Sequence, residues 1–175
     1  MKKTKIQIGQ ELEDKVFNKL KEIDNIKIFS NVLIPKRTGE TTEIDVLAVH
    51  ESGVYIIECK NFSGEIDGSV YEDAWYQKAK DIFLRGFYNP VKQNVKHKQH
   101  FLDFTKIENS GVRTIVVFDD RTVLSGKVRR NTTVMNFSQF GDYIEQFLNR
   151  RILSRKSIEH IEKEILSCGV SKVWR

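Results

Sequence analysis

Three charged side chains, Asp45, Glu58 and Lys60, are set into an otherwise apolar stretch, EIDVLAVHESGVYIIECKN (residues 43–61). Two runs rich in β-branched residues, Ile44 to Val49 and Val54 to Ile57, flank Glu51-Ser52-Gly53. Ser-Gly is turn chemistry, so the stretch is expected to be a β-hairpin. Strand side chains alternate between faces, which puts Glu58 and Lys60 on one face and Cys59 on the other. A tight turn at Glu51-Ser52 sets Asp45 opposite Glu58. Charges buried in a sheet are costly unless they are paired or hold a metal.

Two carboxylates a few ångströms apart repel each other and bind a hard cation well. Mg²⁺ takes oxygen ligands, keeps several waters and often adds substrate phosphates. Asp45, Glu58 and the backbone carbonyl of Cys59 supply three such oxygens, and Mn²⁺ would serve as well. Lys60 then stands beside a metal-bound water, to position or deprotonate it, or holds a phosphate oxygen. That is equipment for phosphodiester hydrolysis. The same residues also suit a surface hairpin with a Glu58–Lys60 salt bridge. Against that plainer use, Glu58 ends an apolar strand and Asp45 lies inside one.

Glu-x-Lys after a strand, with Asp on the preceding strand, resembles the PD-(D/E)XK nuclease superfamily. The fuller string is similar to the nuclease-related domain family, NERD, within it. It comprises Thr42-Glu43-Ile44-Asp45, Gly53 to Asn61, Gly64-Glu65-Ile66-Asp67-Gly68, Trp75, and Asn89-Pro90-Val91-Lys92-Gln93-Asn94. The resemblance covers about residues 9–118. It implies a restriction-endonuclease-like α/β core, with a central mixed β-sheet flanked by helices. It implies a metal-dependent nuclease acting on DNA, in which Gln93 contacts the scissile phosphate or a metal water. From its sequence position alone, Gln93 is an exposed helix former. The rival function is a nucleic-acid-binding module whose site no longer cleaves, and the complete Asp, Glu, Lys set argues against decay.

A length of 175 residues, 39% hydrophobic and 30% charged, suits one soluble globular domain. Residues 119–175 are expected to complete the fold with a strand and helices. No apolar run approaches the ~20 residues of a membrane span. No apolar segment follows the basic Met1 to Lys5, so no signal peptide is expected. Cys59 and Cys168 are read as reduced thiols of a cytoplasmic protein, and a cysteine zinc site is not supported. Net charge is +5, unevenly spread. Residues 36–73 carry nine acids and three bases, residues 74–106 seven bases and two acids. An acidic hairpin beside a basic segment suits a metal site next to a phosphate track. Ordinary solvated charge accounts equally well for any single lysine.

The elements that carry these residues follow from periodicity and punctuation. Thr4-x-x-Gln7 has the form of a capping box before a helix over about residues 5–23, with Leu12, Val16, Leu20 and Ile23 inward. Ile26 to Leu33 is a strand. The hairpin strands cover about 43–50 and 54–60, Gly64 and Gly68 bracket a turn, and a short strand lies within 69–75. Asn89-Pro90 starts a helix over about 90–107, with Val91, Val95, Phe101, Leu102 and Phe104 inward. Arg113 to Phe118 fits a buried parallel strand, followed by a loop over 119–130 and a last strand over 132–136. Ser138 caps one further helix, and Ser154 or Ser157 another.

On these elements Lys92, Lys96, His97 and Lys98 are candidate nucleic-acid contacts. His97, one turn beyond Gln93, is read as a phosphate or packing contact and not a metal ligand. Trp75, Tyr76, Phe83, Phe87 and Tyr88 interleave with bases, to stack on nucleotides or, for most of them, to pack the core. His50 at the hairpin tip is expected to be exposed. Glu13 is the fourth acidic candidate, holding a metal water or a second ion. At about 100° per residue it lies near the apolar stripe, while Glu11 lies further toward solvent. The resemblance agrees: Gly9-x-x-Leu12-Glu13 matches a Gly-x-x-Gly-Glu pattern in register, with Leu12 a departure. The alternative is a solvated glutamate stabilising the helix dipole. Two copies pairing their sites would suit a nuclease that cuts both strands.

Overall fold

The computed structural model describes residues 5–79 and 82–175. Thr4 of the expected capping box, and the side chains of Gln7 and Phe83, fall outside what can be described. The elements run α1 (Lys5–Leu20), β1 (Lys27–Pro35), β2 (Thr41–His50), β3 (Gly53–Lys60), β4 (Gly64–Asp67), β5 (Ala74–Ala79), β6 (Ile82–Tyr88) and α2 (Pro90–Thr105). A 3₁₀ turn (Asn109–Gly111) leads to β7 (Val112–Phe118), β8 (Thr122–Leu124), α3 (Gly126–Arg129), β9 (Val134–Asn136), α4 (Phe137–Leu148), α5 (Arg155–Leu166) and β10 (Lys172–Trp174).

The fold is α/β, built on a mixed six-stranded sheet in the order β10-β1-β2-β3-β7-β9. The hairpin forms as expected, with a two-residue turn closed by the His50–Gly53 pair. β3 and β7 are parallel, with Glu58 beside Val116 and Lys60 beside Phe118. α1 and α4 cover one face through Leu12, Val16, Phe17, Phe140 and Ile144. α2 and α5 cover the other through Phe101, Ile161 and Ile165. A second sheet, ordered β6-β5-β4-β8, follows Lys60 and packs Trp75 on Phe118, with ring centroids 6.3 Å apart. Gly68 makes this packing possible, since a Cβ there would lie 2.4 Å from the indole ring.

Several boundaries differ from expectation, each for a local reason. α1 stops at Leu20, because Glu22 and Ile23 bond back to Lys19 and Leu20 in the tighter three-residue pattern. The stretch bracketed by Gly64 and Gly68 is a strand, β4, since its carbonyls and amides pair with both β5 and β8. The expected loop over 119–130 contains β8 and α3. β10 follows the strand expected to be last and closes the β1 edge. Asn136, not Ser138, caps α4 in a reciprocal capping box with Gln139. Ser154 caps α5. Of the aromatic residues, Trp75 is buried and Phe87 packs beside it, while Tyr76 and Tyr88 are exposed.

α2 turns the expected residues Val91, Phe101, Leu102 and Phe104 toward the core, with Val95 the exception. Val95 is 53% exposed, while Asn94 and His97 are buried. Asn94 reaches the sheet itself, donating to the carbonyls of Ile56 (2.9 Å) and Ile115 (2.8 Å). His50 is likewise buried, its Nδ1 2.8 Å from Ser52 Oγ, which lies 2.6 Å from the Tyr55 hydroxyl. The tip residue folds back onto Ser52 and lines a cavity with Leu20, Phe140 and Ile144.

Candidate active site

At Asp45 strand β2 parts from β3 while staying paired with β1. The β2–β3 ladder ends at Val46–Ile57, whereas β1–β2 continues to Pro35–Thr41. Alternation breaks at the same point. Ile44 and Leu47 pack on one face of the sheet and Val46 on the other. Asn31, across from Asp45 on β1, has φ +50°, a conformation that asparagine tolerates better than most residues. Asp45 therefore sits in the opening between strands. Its Oδ2 accepts the Cys59 N–H at 2.8 Å, in place of a ladder carbonyl. The N–H and C=O of one strand residue project to the same side, so the Cys59 carbonyl also faces this opening.

Glu58 and Lys60 share the face under α2, as alternation requires. Lys60 Nζ donates to Glu58 Oε1 (2.5 Å) and to Gln93 Oε1 (3.2 Å). The Gln93 amide nitrogen lies 3.4 Å from His97 Nε2, and His97 Nδ1 lies 2.9 Å from Thr42 Oγ1. Gln93 is thus drawn into the site and is not simply an exposed helix residue. Glu58 is only 2% exposed. His97 Nε2 stands 3.3 Å from its Oε2 but without hydrogen-bond alignment, so that buried oxygen has no hydrogen-bond partner.

Electrostatics separates the two carboxylates. Burial, and then the charge of Glu58, push Asp45 well above its ordinary value, against the pull of the Cys59 amide. Burial also acts to raise Glu58, but contact with His97 and the charge and hydrogen bond of Lys60 outweigh it and hold Glu58 low. Burial, with the charge of Asp45, pushes the Cys59 thiol well up, away from the thiolate a nucleophile needs. Glu13 joins this cluster from α1. Asn31 Nδ2 bridges Glu13 (3.1 Å) and Glu43 (3.0 Å). Burial raises Glu13, and the charges of Glu43, Asp14 and Glu58 add to it.

Among the described residues no three His, Cys, Asp or Glu side chains converge as a ligand set. The donors present are two carboxylates, one with an unpartnered oxygen, and a backbone carbonyl. That all-oxygen set fits a cation that keeps its own waters, as Mg²⁺ does, and does not fit zinc. A cavity of about 510 Å³ lies at the other end of the sheet, lined by Lys19, His50, Phe140 and Ile144 among others; Asp45 and Glu58 take no part in it.

The expected phosphate contacts are divided. Lys96 is exposed, its ammonium 4.7 Å from the Tyr88 ring centre. Lys92 pairs with Asp73 (2.7 Å) and the Tyr71 carbonyl. His97 lies inside the site, against Glu58. Lys98 is turned inward onto the Val112 carbonyl (2.5 Å), because it sits about 140° round the helix from Gln93. Residues that sequence reasoning missed are Thr42, Asn31 and Asn94, and beyond Lys60 the group Lys15, Asp119 and Arg121. The signal available for Asp119 was its position directly after the strand expected to run parallel to the hairpin.

Asp45, Glu58, Lys60 and Gln93 lie at one end of the central strands β2 and β3, and the α/β architecture is consistent with a nuclease-like core. The chain belongs to the nuclease-related domain family, NERD, whose family model matches residues 8–119. An uncharacterized protein of Bacillus anthracis is 35% identical over 97 residues, covering 54% of this chain; the match spans 44% of that relative's length. The crystal structure of AF1548, a protein of unknown function, aligns over 90% of this chain and 79% of its own at 16% identity, with a TM-score of 0.45.

Proposed function

We propose that this chain is a divalent-metal-dependent nuclease that hydrolyses phosphodiester bonds, with DNA as substrate. The observation that carries the reading is the opening between β2 and β3. A half-buried carboxylate, Asp45, and a buried one, Glu58, lie about a strand carbonyl there, and one Glu58 oxygen accepts no hydrogen bond. Asp45, Glu58 and the Cys59 carbonyl would hold Mg²⁺ or Mn²⁺, with Glu13 ordering a water beside it. When bound, the ion supplies positive charge to the phosphate and acidifies a water. Lys60, held between Glu58 and Gln93, orients the attacking water by donating to it. Gln93, beside Lys60 on the first turns of α2, contacts the scissile phosphate. Free thiols at Cys59 and Cys168 suit a reducing, cytoplasmic setting. Among the described residues no helix is long and apolar enough to cross a membrane.

A second reading, a nucleic-acid-binding module that does not cleave, is favoured by one observation. Lys60 and His97 already flank both oxygens of Glu58. Linear, circular and single-stranded DNA incubated with Mg²⁺, Mn²⁺ or EDTA separates the two. Cleavage that needs the ion and disappears in Asp45→Asn supports the nuclease. Binding with no cleavage under any ion supports the module.

A further inference from the structure

Asp119 is the first residue past β7, beside the end of β3, and its amide donates to the Lys60 carbonyl (3.2 Å). Its side chain is only 6% exposed. A buried carboxylate requires partners, and this one takes two cations. Oδ1 accepts from the Arg121 backbone N–H (3.0 Å) and Nε (2.6 Å), and Oδ2 from Lys15 Nζ (3.3 Å). Arg121 Nη2 also donates to Asn61 Oδ1 (2.5 Å), one residue beyond Lys60. Burial acts to raise Asp119, and the hydrogen bonds from Arg121 and Lys15 outweigh it and hold it low.

One cation would neutralise the carboxylate. Here one acid orients two, and both remain more than half exposed, Lys15 at 53% and Arg121 at 60%. The group carries a net positive charge at the carboxyl ends of parallel strands, where open α/β sheets bind ligands. The edge is therefore polarised. Glu13 and Glu43 lie on the β1 side of the carboxylate pair, and Lys15 and Arg121 on the β7 side. Two of the lysines of α2 are engaged elsewhere, Lys92 by Asp73 and Lys98 by the Val112 carbonyl.

Resting on the nuclease reading, we propose that Lys15 and Arg121, positioned by Asp119, clamp a phosphodiester of the nucleic-acid backbone adjacent to the one facing Asp45, Glu58 and Lys60. The contact is to phosphate and carries no base preference. Asp119 is a positioning residue. It spans from the cations to the Lys60 carbonyl, so the clamp is fixed relative to the cleaved bond.

The test measures binding of a fluorescent DNA duplex to the full chain carrying Glu58→Gln, over a salt series. Adding Lys15→Gln or Arg121→Gln should each reduce the slope of log K against log salt by about 0.9, and the double variant by about twice that. Arg155→Gln, on α5, should leave the slope unchanged. Asp119→Asn should weaken binding while Arg121→Lys keeps most of the slope. Unchanged slopes in the Lys15 and Arg121 variants, with duplex still bound and the thermal midpoint lowered, overturn the clamp alone and leave a structural strut. Absence of any salt-dependent binding by the Glu58→Gln chain overturns both the clamp and the nuclease reading.

Discussion

Asn31 and Asp45 occupy opposite positions on β1 and β2, at the one place where both strands lose their alternation. The flanking pairs Ser30–Val46 and Val32–Ile44 are in register, so the break is a local twist and not a slip. The twist frees Asp45 from the ladder and aims its carboxylate at the Cys59 amide. It also turns the Asn31 amide to hold Glu13 and Glu43. One left-handed residue thereby gathers the acidic side of the site.

Asp45 is costly to the metal-free chain, since burial and Glu58 both oppose its charge. Asp45→Asn keeps an oxygen for the Cys59 N–H and removes the repulsion. In EDTA near neutral pH the variant is expected to be more stable than the native chain, by about 1–3 kcal/mol. Mg²⁺ should raise the melting temperature of the native chain and not of the variant. Calorimetry with and without the ion checks both; a variant less stable in EDTA would mean that Asp45 is satisfied without metal.

Lys60→Ala should lower the cleavage rate far more than DNA affinity, because Lys60 Nζ is directed at Glu58 and Gln93, inside the site. Single-turnover rates and binding measured side by side decide it. Equal losses would make Lys60 a simple phosphate contact.

Glu13→Gln should reduce activity at saturating Mg²⁺, while Glu11→Gln should retain it. Glu13 shares the Asn31 bridge and lies within the field of Glu58 and Asp45. Loss confined to Glu11→Gln would show that α1 is read in the wrong register.

Burial holds His50 below its ordinary value, against the attraction of Glu51. Its full contribution to stability is present above about pH 6.5, the unfolded value. As pH falls below that, the unfolded chain takes up a proton that the folded chain does not, and stability declines toward the folded value. In His50→Asn the amide oxygen can still accept from Ser52, and this part of the decline should vanish. Urea midpoints between about pH 7.5 and 5 report it. Parallel curves for the two proteins would assign the titration to another group.

Gly68→Ala drives a methyl group into Trp75. Overpacking of this kind costs about 1–3 kcal/mol. Thermal unfolding should show that loss, with binding of the ion at Asp45 and Glu58 little changed. A midpoint equal to the native one would mean that β5 shifts freely.

The sequence by itself determined whatever rests on neighbours along the chain. Ser-Gly turn chemistry and β-branched runs define the hairpin. Period two puts Glu58 and Lys60 on one face. Asn89-Pro90 starts α2, and Asn89 caps it with bonds to the Val91 and Lys92 amides. The stripe through Leu12, Val16 and Leu20 brings Glu13 toward the sheet. The motif string also carried the family. Tertiary structure alone decided what depends on strands and helices distant in sequence. The break at Asp45 needs β1 and β3 to compete for β2. His97 and Asn94 turn inward beside Phe101 because polar partners on the sheet, Glu58 and the carbonyls of Ile56 and Ile115, await them there. Lys15, Asn61, Asp119 and Arg121 meet only because β3 and β7 run parallel in one register, with Lys60 beside Phe118. No local pattern encodes that register; it is set by which buried side chains of the two strands fill the same layers under α1 and α2.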